Sequence, residues 1–141
     1  MQPLPQSVLI IDDSEPERYL IRRFLKKAGV TKTIFEAQHG QQALQFLTDQ
    51  AGEAREKHPD DFPPTFILLD INMPIMGGFE FLEEFAKLRV REPWLSTVVF
   101  VMLSSSERPE DVQRAMKYDF VKQYLSKAVL SAESLRQLLV E

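Results

Sequence analysis

The stretch "FILLDINMPIMGGFEF" (66–81) sets four apolar residues ahead of a carboxylate at Asp70, followed by a Met-Pro, a second methionine and a glycine pair. A run that apolar reads as a strand buried on both faces, and such strands belong to parallel sheets covered by helices. Its polar end raises a question, because a carboxylate that closes a buried strand costs free energy unless a cation or hydrogen bonds compensate it.

Outward from this segment, "SVLII" (7–11), "TIFEA" (33–37), "TFILL" (65–69), "TVVFVML" (97–103) and "FVKQYL" (120–125) read as five strands. Helical spacing separates them. In "SEPERYLIRRFLKKAG" (14–29), Leu20, Ile21, Phe24, Leu25 and Ala28 form a stripe, Ser14 and Glu17 match a capping box, and Gly29 is the stop. Further helices are predicted over 41–57, 79–89, 107–118 and 131–140. The polar, then proline-rich "AGEAREKHPDDFPP" (51–64) reads as a helix end and an exposed loop. This alternation predicts an α/β fold, a (βα)5 doubly wound, five-stranded parallel sheet of order 2-1-3-4-5, flavodoxin-like. Residues 1–6 read as an N-terminal tail and 7–141 as one domain.

Composition narrows the function. The 141 residues carry 17 basic and 21 acidic side chains, a formal net charge of −4, which is the wrong balance for nucleic-acid binding. No apolar run reaches the roughly 20 residues of a membrane helix, and "MQPLPQS" does not resemble a signal peptide, so no membrane association and a cytoplasmic location are expected. With no cysteine, disulfides and thiolate chemistry are excluded. His39 and His58 lie in polar segments without ligand spacing and read as solvated surface, and Trp94 reads as partly buried at the sheet edge.

In an open α/β sheet the binding crevice lies beyond the carboxyl ends of the strands, where the strand order reverses. Four predicted strands end there in polar chemistry: Asp12-Asp13, Asp70, Ser104 to Ser106, and Ser126-Lys127. Three converging carboxylates repel one another unless a cation neutralises them, and a hard oxygen set suits Mg²⁺. Lys127 adds a positive charge on a long stem. Each feature also has a plain structural reading: the acidic pair as a helix start, Asp70 onward as an Asx-type turn, the serines as a helix cap.

In order along the chain, the acidic pair, "D-x-x-M-P-x-M-x-G" as Asp70 to Gly78, the hydroxyl residue after strand four and the lysine after strand five resemble the receiver domain of two-component response regulators. "EAQHGQQAL" (36–44) is similar to the family's segment at the start of its second helix. The resemblance implies that Asp70 is the phosphoacceptor, taking a phosphoryl group from a phosphohistidine on a sensor histidine kinase or histidine phosphotransfer protein. It implies that Asp13 binds Mg²⁺ directly, Asp12 through water, and that Asp70 and the backbone carbonyl of Asn72 complete the metal set. Lys127 would hold the phosphoryl oxygens, Ser104 and Tyr124 would be the switch pair, and Asn72 and Ser106 would tune phosphate lifetime. The expected output is a changed surface on the 107–118 helix, the fifth strand and the 131–140 helix, which docks a downstream protein target or forms a homodimer.

Four positions depart from the family's pattern: Gly77 replaces the usual Asp or Asn, Ala128 the proline that commonly follows the lysine, and Phe120-Val121 the usual Gly-Ala. For the last, extra core filling and an enlarged docking surface are both open readings. The short chain after Lys127 leads to the expectation of a stand-alone receiver that is not a turnover enzyme. The alternatives are a phosphorylation-independent interaction module and an aspartyl-phosphate phosphatase, the latter disfavoured because Asn72 stands where a second aspartate would act as general acid.

Overall fold

A computed structural model describes residues 7–29, 33–105 and 108–140. The described residues form strands β1 (Ser7–Ile11), β2 (Thr33–Ala37), β3 (Phe66–Asp70), β4 (Val99–Ser104) and β5 (Val121–Ser126). The helices are α1 (Glu15–Ala28), α2 (Gly40–Leu47), α3 (Ala51–Lys57), α4 (Gly78–Arg91), α5 (Pro109–Met116) and α6 (Ala132–Val140). Single 3-10 turns occupy Pro93–Leu95 and Lys127–Val129. All strand pairings are parallel and the order is β2-β1-β3-β4-β5, as the alternation predicts.

Period-two alternation divides the sheet's side chains between two cores. Leu9, Ile11, Ile67, Leu69, Phe100 and Met102 pack in one cluster with residues of α2, α3, α4 and α5. Val8, Ile10, Leu68, Val101 and Leu103 pack in the other with Ile21 and Leu25 of α1 and Leu135 and Leu139 of α6. Burial on both faces explains why β1 is apolar from Val8 to Ile11 and β3 from Phe66 to Leu69.

Helix α1 starts on Ser14, whose Oγ accepts from the Glu17 N–H, and stops at Gly29, which takes the left-handed conformation at φ 66° and returns its N–H to Leu25 and Lys26 carbonyls. The single helix predicted over 41–57 is two helices. Thr48 Oγ donates to the Leu44 carbonyl at 2.7 Å and the Gln50 N–H turns back to the Gln45 carbonyl, ending α2 before α3 begins. The segment after α3 is not wholly exposed either. Phe62 is buried among Phe35, Phe46 and Trp94, and His58 packs edge-on against Phe35 at 5.1 Å, so this histidine is half-buried, with one side on an aromatic partner and the other in solvent. Among the described residues no helix is long and apolar enough to cross a membrane.

Candidate functional site

The parallel register carries the polar strand ends to one edge. Asp70 pairs with Leu103, Ser104 with Ser126, and the Ile71 N–H donates to the Leu103 carbonyl, so β3, β4 and β5 finish level with one another. Asp12 follows β1 directly and is tied to β2 by its N–H to the Ala37 carbonyl. Asp12, Asp13 and Asp70 each offer an oxygen within 4.8 Å of the others'. Asp12 and Asp70 are buried, at 1% and 4% exposure, and Asp13 is exposed.

Lys127 enters this group from the turn after β5. Its Nζ lies 3.0 Å from Asp12 Oδ2 and 3.2 Å from Asp70 Oδ1, and it donates a hydrogen bond to Glu17 Oε2. Asp12 Oδ2 is buried and accepts no hydrogen bond, so its contact with the ammonium is one of charge without a directional bond. Asp12 Oδ1 accepts from the Ser14 N–H at 2.9 Å, and Asp70 Oδ1 accepts weakly from the Asn72 N–H at 3.4 Å.

Burial dominates the electrostatics. It pushes the Asp70 carboxyl from an ordinary 3.8 up to about 6, against the pull of the Lys127 charge, and Asp12 adds repulsion in the same upward direction. Asp12 is also raised by burial, more than the Ser14 hydrogen bond and the adjacent Lys127 ammonium lower it. For Lys127 burial acts against the charge, but the bond to Glu17 and the Asp70 and Asp12 carboxylates outweigh it and hold the ammonium more strongly protonated than usual. Glu17 is lowered, because the bond and charge of Lys127 overcome a burial effect of opposite sign.

A buried carboxylate oxygen without a hydrogen bond, beside two further carboxylates, is a donor set for a hard cation. Asp12, Asp13 and Asp70 therefore fit a hard divalent cation such as Mg²⁺.

The family model of the response regulator receiver domain matches residues 8–139. The chain belongs to that family. This receiver is 33% identical to the two-component response regulator ORR41 of Oryza sativa subsp. japonica, with 87% of each chain covered. It is 32% identical to the sensor histidine kinase CheAY of Helicobacter pylori, covering 86% of this chain but spanning only 14% of the kinase's length. Among solved structures, a two-component response regulator from Cytophaga hutchinsonii superposes with a TM-score of 0.76 at 28% identity, covering 96% of this chain and 94% of that one. The resemblance read from the motifs and the predicted strand order are thus both borne out.

The receiver brings together Asp12, Asp13, Asp70 and Lys127, with Asn72 at the rim. Ser104 is buried at the end of β4, and the Tyr124 side chain, 7% exposed, is packed into the core on the α4 side. Ser106 lies outside the described residues. Two residues at the site escaped the sequence reading. Glu17 is only half of a capping box: its N–H bonds Ser14, but the Ser14 N–H goes to Asp12, leaving the Glu17 carboxylate to Lys127. Arg18, 5% exposed, donates to the Asp12 carbonyl at 2.7 Å and to Glu36 Oε1 at 3.2 Å, and pairs with Glu15, so it fixes the backbone that presents the acidic pair. A basic residue one turn into α1 was the available signal.

The departures from pattern also resolve. The Lys127–Ala128 peptide is trans, and Ser126 Oγ accepts from the Ala128 N–H at 3.2 Å to start the 3-10 turn, so the lysine reaches the pocket without a following proline. Phe120 and Val121 are core filling. Phe120 lies 5.3 Å from Phe85 and 5.2 Å from Phe100, with the Arg89 guanidinium 4.7 Å over its ring.

Proposed function

We propose that Asp70 accepts a phosphoryl group from a phosphohistidine on a sensor histidine kinase or histidine phosphotransfer protein. An Asp70 carboxylate oxygen attacks phosphorus, the bond from phosphorus to the imidazole nitrogen breaks, and the electron pair stays on that nitrogen, which takes up a proton. The observation that carries this reading is the placement of Lys127 Nζ 3.2 Å from the buried Asp70, within a three-aspartate group.

Asp13 and Asp12 would hold Mg²⁺ together with Asp70 and the Asn72 carbonyl. Bound there, the ion would supply positive charge that offsets the charge of the phosphoryl oxygens. Lys127 neutralises a second oxygen, and the buried setting strengthens both attractions. Ser104 and Tyr124 form the switch pair that reads the new charge, and Asn72 and Ser106 tune how long it lasts. The output is a surface of α5, β5 and α6 that binds a downstream protein target or a second copy of the chain. Residues 7–141 form the receiver unit, with 1–6 as a tail, acting in the cytoplasm as a signalling module that does not turn over substrate.

The test is Mg²⁺-dependent phosphorylation by a small acyl phosphate, read by intact mass. One phosphoryl group per chain, absent in Asp70→Asn and absent with a chelator, supports the reading. No incorporation points to an interaction module, and continuous phosphate release to a phosphatase.

A further inference from the structure

Lys127 faces a conflict that the described geometry exposes. Its ammonium sits against Asp12 and Asp70, the same carboxylates that a divalent cation needs, so lysine and metal compete for the same oxygens. A lysine that gave up both contacts would stand beside a dication unless another anion received it. Glu17 is that anion. It projects from the first turn of α1, is partly exposed, and already takes the ammonium's hydrogen bond, whereas Asp12 Oδ2 accepts none. Its carboxylate is free for this because Asp12 Oδ1, and not Glu17, accepts from the Ser14 N–H.

We propose that Glu17 is a positioning residue that holds Lys127 when a divalent cation takes Asp12 and Asp70, and thereby sets the affinity of the acidic pocket for that cation. The proposal rests on the metal-binding reading of the pocket given above. Removing Glu17 then acts twice. The ammonium loses its holding partner and competes harder for Asp12 and Asp70, and the cation-bound state retains a lysine with no counter-ion. Both weaken Mg²⁺ binding, and both vanish if the lysine is absent. An attraction of Glu17 for the ion through space alone does not depend on Lys127, which makes the two roles separable by a double-mutant cycle.

Isothermal titration with MgCl₂ on the wild-type chain, Glu17→Gln, Lys127→Met and the double variant tests this, with a thermal melt of each confirming the fold. Glutamine keeps the size of the side chain and the backbone N–H that bonds Ser14, so α1 is preserved. The expected result is a Kd about threefold to tenfold weaker for Glu17→Gln with the lysine present, and a clearly smaller change in the Lys127→Met background. An unchanged Kd in Glu17→Gln overturns the proposal, and so does an equal loss in both backgrounds, which would make Glu17 a distant charge only. Absence of Mg²⁺ binding in the wild-type chain removes the pocket reading itself, and the proposal with it.

Discussion

Arg18 donates to the backbone carbonyl of Asp12 at 2.7 Å, so a guanidinium in α1 governs how the acidic turn is presented to the pocket. The same guanidinium meets Glu36 of β2 and Glu15, placing a buried charge within a ring of acceptors that connects α1 to the sheet.

Replacing Arg18 by methionine keeps the apolar stem and removes the charge. It leaves the Asp12 carbonyl without this donor and Glu36 with Arg22 as its remaining ion pair. A loss of about 2–3 kcal/mol is expected in chemical denaturation, with weaker Mg²⁺ binding. A change below about 0.5 kcal/mol would mean that the network is dispensable.

Asp70 sets a pH dependence. Its carboxyl is raised from 3.8 to about 6 in the fold, so the folded chain holds a proton that the unfolded chain has released across that interval. Its stabilising contribution is therefore complete below about 3.8 and lost as pH rises through about 6. At about 1.4 kcal/mol per tenfold change in proton affinity, ionised Asp70 costs on the order of 3 kcal/mol. In chelator at pH 7.5, Asp70→Asn is expected to be more stable than wild type by up to about that amount, with the gap closing toward pH 4. Urea melts at the two pH values measure it, and an equal gap at both contradicts the burial argument.

Asp13 should affect binding and not folding. Its side chain is exposed, so Asp13→Asn is expected to leave metal-free stability within about 0.5 kcal/mol. Mg²⁺ affinity should fall on the order of tenfold or more, since a neutral amide is a poorer ligand for a hard cation. Calorimetric titration decides, and unchanged affinity would remove Asp13 from the metal set.

The two glycines at the start of α4 should separate sharply. A Cβ on Gly78 would lie 2.7 Å from both the Asp70 carbonyl oxygen and Ile71 Cα, backbone atoms that cannot yield without moving the loop after Asp70. On Gly77 its nearest neighbour would be the Ile71 carbonyl oxygen at 3.5 Å, ordinary contact. Gly78→Ala is expected to cost about 1–3 kcal/mol and to slow Asp70 phosphorylation, whereas Gly77→Ala stays within about 1 kcal/mol of wild type. Equal effects would show that close approach at Gly78 is not what excludes a side chain there.

Much of the molecule was legible in the order of its residues. The β-branched runs ending in Asp12, Asp70, Ser104 and Ser126-Lys127 specify strands, and the doubly wound connection rule then places those ends on one edge. The break between α2 and α3 was not legible, because both halves continue the same apolar pattern and only hydrogen bonds at Thr48 and Gln50 end the helix. Nor was the fate of Phe120, since a bulky residue at the start of an outer strand fits a core or a docking face equally until its neighbours are known.

By itself the sequence determined the sheet, its order, the acidic pair, the lone aspartate and the lysine, because periodicity and strand ends are local properties of the chain. The tertiary structure alone decided which charges meet: that Glu17 leaves its capping box for Lys127, that Arg18 turns to the Asp12 carbonyl, and that His58 and Phe62 join an aromatic core. Those pairings depend on how α1 is rotated over β1 and on where distant turns arrive, and no spacing within a segment encodes either.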